Sequence, residues 1–170
     1  EWITLAHWTI RLRFSLDGLP DPGPGTGWGL PVARVIGDLA AGLTVGLLLL
    51  GAVLVPARDG ELRGERLRWT RAARWAGLVW AGAVMALALL TLSDVLATPV
   101  SEVLDPALLW SFLVDIDLGR ALLVQALLAL AVAVCAGLVT TTTGAGLVGL
   151  LAVAALVPPT LTGHAGTSTE

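Results

Sequence analysis

The sequence contains no lysine and no tyrosine, so all ten of its basic residues are arginine. It has one cysteine, Cys135, which excludes an internal disulfide and a metal site made of this chain's thiolates alone. Cys135 falls within an apolar run and reads as a small buried hydrophobe. No apolar run has a histidine in its interior, whereas a haem-binding bundle needs histidines paired across helices. No phosphate-cradling loop of the Walker type is present, and "GTGWG" has neither the dinucleotide spacing nor a strand before it. No nucleophile and base stand at a recognisable spacing, so the expectation is that the protein is not an enzyme. Charge is scarce as well. Only 14% of residues are charged, against about 25% in soluble domains. The single basic run is short, and nucleic-acid binding is not expected from it.

What is abundant is apolar surface. The chain is 56% hydrophobic, with a mean hydropathy of +0.84. Apolar stretches of about 20 residues recur, the length that spans a bilayer as a helix. The runs are continuous and do not alternate, which argues against a β-barrel. The expected fold is all-α, a polytopic transmembrane helical bundle. The four expected spans are Leu30 to Val55, Trp75 to Ala97, Leu118 to Val139 and Gly144 to Thr162. The first is longest and is expected to tilt. Gly42 and Gly46 form one small-residue row on it, and Ala33, Gly37 and Ala41 another; such rows let helices pack closely.

Three domains follow from this reading: an extracytoplasmic or interfacial segment (1–29), a four-helix membrane domain (30–163) and an outer tail (164–170). "EWITLAHWTIRLRFSL" is amphipathic and fits a strand, a surface helix or a frayed helix end. Proline and glycine in "DGLPDPGPGTGWG" predict no regular element there, and Trp28 marks the headgroup region. The chain begins with Glu1 and lacks a signal-peptide pattern, so it reads as a processed product or as part of a longer chain.

Orientation is read from the loops. "PARDGELRGERLRWTRAAR" holds Arg58, Arg63, Arg66, Arg68, Arg71 and Arg74, whereas the next loop holds Glu102, Asp105, Asp115 and Asp117 and no base. The positive-inside rule puts the arginine loop in the cytoplasm and both termini outside the cytoplasmic membrane. In the acidic loop, "LDPALLWSFLV" has Asp105 as an N-cap and Pro106 at the first helical position. A short outer interfacial helix is expected there.

This topology gathers the membrane's polar residues at one level. Arg34, Asp38, Asp94, Arg120 and His164 all fall near the outer ends of the spans. Pro158 and Pro159 interrupt the last span just before His164. Charges in lipid are costly and usually pair or face a cavity. Arg34 and Asp38 share a helix face at i, i+4, and Asp94 and Arg120 form a possible second pair. Two readings stay open: the pairs lock the helix ends together, or they line an outward polar cavity that receives an ion. His164 is the candidate metal ligand. His7 reads as a surface residue, and Met85 as lipid- or core-facing.

"WGLPVARVIGDLAAGLTVG", "LTLSDVLATPVSEVLDPALLWSFL", "DLGRALL" and "PPTLTGHAG", in this order and spacing, resemble actinobacterial copper-resistance D (CopD)-type membrane proteins. In that group a copper-transport-like half is often fused to a cytochrome c oxidase assembly (CtaG-like) half. The resemblance covers about Trp28 to Gly166. It implies copper handling or transport across the membrane, linked to oxidase maturation, with copper as the ion. It carries Arg34, Asp38, Asp94, Arg120 and His164 over as shared polar positions. Such proteins usually begin with an ordinary transmembrane helix and continue past "TGHA" into helices with further histidines; in this chain Glu1 to Leu16 do not read as such a helix. The chain itself lacks the methionine, histidine or cysteine set that Cu(I) prefers. The competing expectation is an accessory subunit bound to a respiratory oxidase or supercomplex, which needs only lipid and a packing surface.

Overall fold

The computed structural model describes residues 22–54 and 65–157. The expectations for residues 1–16, His7, Arg58, Arg63, the Pro158–Pro159 break and His164 lie outside the described residues. Five α-helices are present and, among the described residues, no strand. They are α1 (Gly23–Leu49), continued by a π-helical turn over Leu50–Leu54, α2 (Glu65–Leu96), α3 (Pro106–Asp115), α4 (Asp117–Leu138) and α5 (Thr142–Ala154).

Helix α1 starts seven residues earlier than its apolar run. The stretch Gly23–Gly29, expected to be irregular, is helical. Pro24 lies in the first turn, where its missing N–H is not needed, and Thr26 anchors the turn. The Thr26 hydroxyl is fully buried 2.7 Å from the hydroxyl of Ser93 on α2. A tertiary bond thus overrides the weak local propensity of a glycine-rich segment.

Helix α2 begins ten residues before its expected start. Arg66, Arg68, Arg71 and Arg74 therefore lie on a helix and not in a loop. Arginine and alanine are good helix formers, and Thr70 and Ala73 of this extension are buried against the bundle. The Arg74 guanidinium sits 5.8 Å from the Trp75 ring centre, and its stem packs on Gly137 near the C-terminus of α4. That end of a helix favours a cation.

Helices α1 and α2 run antiparallel in constant register. Thr26 meets Ser93, Gly29 faces Leu90, Gly37 faces Ala83, and Gly51 in the π turn faces Thr70. The row Ala33, Gly37 and Ala41 is buried in this interface. The Gly42–Gly46 row is not: a Cβ at either position would meet nothing within 4 Å. Helix α2 packs with its other side on α4, where Gly77 lies against Ala133. A Cβ at Gly77 would lie 3.0 Å from the Ala133 Cβ, so glycine lets the two helices cross this closely without displacement. Helix α5 packs against α1, the π turn and α4 at the arginine end of the bundle.

Helix α3 forms as its cap predicts. The Asp105 carboxylate accepts from the Ala107 N–H at 2.9 Å, with Pro106 opening the helix. Phe112 and Leu113 turn inward, while Trp110 faces outward. The chain passes from α3 to α4 within one residue, and a Cβ at Gly119 would lie 2.0 Å from the Phe112 carbonyl oxygen. Only glycine permits that approach.

The outside of the bundle is apolar. Val32, Ile36 and Leu39 on α1, Val124, Leu127 and Leu130 on α4, and Leu147 and Leu150 on α5 are all exposed. Such a shell suits a lipid solvent. Three segments, Gly23–Val53, Leu67–Leu96 and Asp117–Leu138, are long and apolar enough to cross a membrane. The fourth expected span is shorter. Helix α5 has 13 residues and rises about 20 Å, against about 30 Å of hydrocarbon. It gives way to a turn before Pro158, where the preceding residue is disfavoured in the α conformation.

Candidate functional site

Helices α1 and α4 both lean on α2. At the arginine end α5 packs against both of them. At the other end a cavity of about 630 Å³ opens among α1, α2 and α4. Its walls are mainly apolar, with Leu30, Val84, Leu87, Leu118 and Leu122, and the indole of Trp80 lies deep in the bundle. Among the described residues five polar side chains line it: Arg34, Asp38, Thr91, Asp117 and Gln125.

The helix registers order these groups by depth. Thr91 and Asp117 lie near the helix ends, close to the Thr26–Ser93 level. The contact of Gly37 with Ala83 sets the deeper level of Arg34 and Asp38. The contact of Gly77 with Ala133, followed eight residues along each helix, brings Gln125 level with Met85. Arg34, Asp38 and Gln125 therefore share about one helical turn, some 5.4 Å of depth.

Arg34 and Asp38 lie on one helix face, as i, i+4 spacing dictates, and both reach the cavity. They do not bond each other. Among the described residues the one ion pair is Arg120 with Asp117, at 2.5 Å. This corrects both expected pairings. Asp117 stands one turn from Arg120 on the same helix and takes the guanidinium before Asp94, on another helix, can. Asp94 is exposed at the end of α2 and does not line the cavity. Its backbone carbonyl caps the helix, accepting from the Ala97 N–H.

The Thr91 hydroxyl donates to the Leu87 carbonyl at 2.7 Å and keeps only acceptor capacity. Gln125 differs from the rest. It is 8% exposed, and its amide has no hydrogen-bond partner among the described residues. Buried amides are normally paired, so an unpaired one facing a cavity is the strongest local sign of a bound polar molecule. The sequence did carry this signal, because Gln125 is the one amide in an otherwise apolar span. The signal is a quiet one, because an amide bears no charge.

Among the described residues no three His, Cys, Asp or Glu side chains come together as a metal site. Cys135 and Met85 are half-buried, packed against the core and away from the cavity lining. The cavity's donors are hard oxygens, an amide and a guanidinium.

An apolar-shelled helical bundle with membrane-length helices and a polar-lined cavity among them defines an integral membrane protein. Residues 22–169 match the copper resistance protein D-like N-terminal domain, and the chain belongs to that family. Comparison with curated proteins and with solved structures gives no match.

Proposed function

We propose that this protein handles copper at the cytoplasmic membrane, moving it inward and supplying cytochrome c oxidase maturation. The observation that carries this reading is the family match over residues 22–169, with a polar-lined cavity lying inside the matched region. Copper is cargo here and not a resident cofactor. The exposed Arg68, Arg71 and Arg74 mark the cytoplasmic end under the positive-inside rule. The cavity then opens toward the outer face, where copper arrives. In this reading the protein moves an ion and catalyses no covalent reaction. Actinobacterial origin completes the reading, supported by the all-arginine basic set of an Ala- and Leu-rich chain, and an association with a CtaG-like half rests on the resemblance of the sequence motifs alone.

The test is cellular copper and oxidase activity in a strain lacking the protein. Both are expected to fall, and the native gene to restore them. An Asp38→Ala, His164→Ala double variant is expected to restore neither. Full restoration by that variant would remove the support for the reading.

A second reading is an accessory subunit of a respiratory oxidase. It is favoured by the outward face of Trp110 on α3. Co-purification with oxidase subunits after mild detergent extraction would support it, and migration as a free monomer would count against it.

A further inference from the structure

The side chain of Gln125 is nine-tenths buried, lines the cavity and lacks a partner among the described residues. Leucine would fill that volume without leaving an amide unpaired, so packing alone does not account for it. On the facing wall, at the same depth, Arg34 and Asp38 present one cation and one anion that are not bonded to each other. Asp117 is neutralised by Arg120. Among the described residues the fixed charge around the cavity is therefore balanced.

A bare copper ion fits this lining poorly. Among the described residues no thiolate, thioether or imidazole lines the cavity, and the Arg34 guanidinium repels a cation. The volume of about 630 Å³ lies within the range of small-molecule sites, roughly 300–1,000 Å³. Its walls ask for an apolar body. Its polar groups ask for one negative and one positive centre a few bonds apart.

We propose that the cavity recognises an α-amino carboxylate. Arg34 takes the carboxylate, Asp38 takes the amino group, Gln125 supplies a further donor and acceptor, and Trp80 and Leu122 cover the apolar side chain. Two sources share this chemistry. One is a free apolar amino acid. The other is the neutral Cu(II) complex of two such molecules, whose coordinated amino groups still donate and whose outer carboxylate oxygens still accept. The second source rests on the copper-handling reading and deepens it; the first does not need it.

The test is calorimetric titration of the purified full chain in detergent. The probes are L-leucine, bis(leucinato)copper(II), copper(II) sulfate, isovalerate and isoamylamine. Leucine or its copper complex is expected to bind, with each half-ligand at least about tenfold weaker, since bonds to charged groups are lost. Gln125→Leu is expected to weaken binding about tenfold while unfolding at a higher temperature, because it removes an unpaired buried amide. Binding of free leucine alone supports the site with the first source and takes copper out of the cavity. Binding of the complex alone supports the second source. The proposal is overturned if neither binds, if copper(II) sulfate binds as tightly as the complex, or if Gln125→Leu retains full affinity. The copper-handling reading is judged separately by cellular copper and can fail while leucine binding stands.

Discussion

The hydroxyl of Thr26 lies 2.7 Å from that of Ser93, 67 residues further along the chain, and both are buried. Ser93 donates to the Thr98 carbonyl at 2.6 Å, so its oxygen accepts from Thr26. The Pro22 carbonyl, 3.3 Å away, is the weaker alternative for the Thr26 proton. One serine thus ties the start of α1 to the end of α2 and to the turn beyond it. A Thr26→Val, Ser93→Ala double-mutant cycle, read by thermal unfolding in detergent, is expected to show a coupling of about 1 kcal/mol. Additive single effects would mean that the pair is not formed in the membrane-extracted protein.

The same end of α2 carries a strained residue. The Thr98 N–H bonds the Ser93 carbonyl and the Ala97 N–H bonds the Asp94 carbonyl, the two bonds of a Schellman cap. Ala97 occupies the position normally held by glycine, with φ of 50°. Left-handed backbone costs an L-residue about 1–2 kcal/mol. Ala97→Gly is expected to raise stability by up to about 1 kcal/mol, less the entropy that glycine loses on folding. A lower melting temperature would show that the turn relaxes out of this geometry.

Helix contacts make a sharper contrast between two glycines of α2. A Cβ at Gly77 would press within 3.0 Å of the Ala133 Cβ and 3.2 Å of its Cα, whereas one at Gly82 meets nothing within 4 Å. Gly77→Ala is expected to cost about 1–3 kcal/mol by forcing α2 and α4 apart. Gly82→Ala is expected to stabilise by about 0.5–1 kcal/mol through helix propensity alone. Equal effects on unfolding temperature would contradict the α2–α4 crossing.

Local signals were the legible ones. Asp105 followed by Pro106 specifies the start of α3 through its own cap, and the apolar run after Asp117 fixes α4 to within one residue at each end. What depends on distant partners was not legible. The glycine-rich start of α1 is helical because Thr26 finds Ser93, and no pattern within residues 22–29 encodes that. The arginine-rich start of α2 read as a loop because charge suggested solvent, although its propensity was helical. At the site, Arg34 and Asp38 stood out as charges in an apolar run, and the structure puts both on the cavity wall. Partner choice was hidden: Asp117 takes Arg120 from the same helix and leaves Asp94 outside. Gln125 was visible but silent, since its meaning lies in burial and in the lack of a partner.

Asp38 and Asp94 separate the cavity from mere outer-end charge. Both are acidic, exposed residues; Asp94 ends α2 away from the arginine cluster, whereas Asp38 lies near the middle of the Gly23–Val53 span and lines the cavity. Neither forms an ion pair among the described residues, so replacement by asparagine strands no cation. Asp38 lies near the middle of the Gly23–Val53 span, where removing a charge changes stability as well, so the unfolding temperatures of both variants in detergent are matched before function is compared. A functional difference between the two variants would then report on the cavity and not on folding. Asp38→Asn is expected to lower copper accumulation several-fold in cells that depend on this protein, whereas Asp94→Asn is expected to leave it within error of the native level. Protein abundance in the membrane is measured alongside. Equal loss in both variants would point to a general attraction of cations to the outer face. Equal retention would remove Asp38 from the transport path and leave the cavity without a role in copper handling.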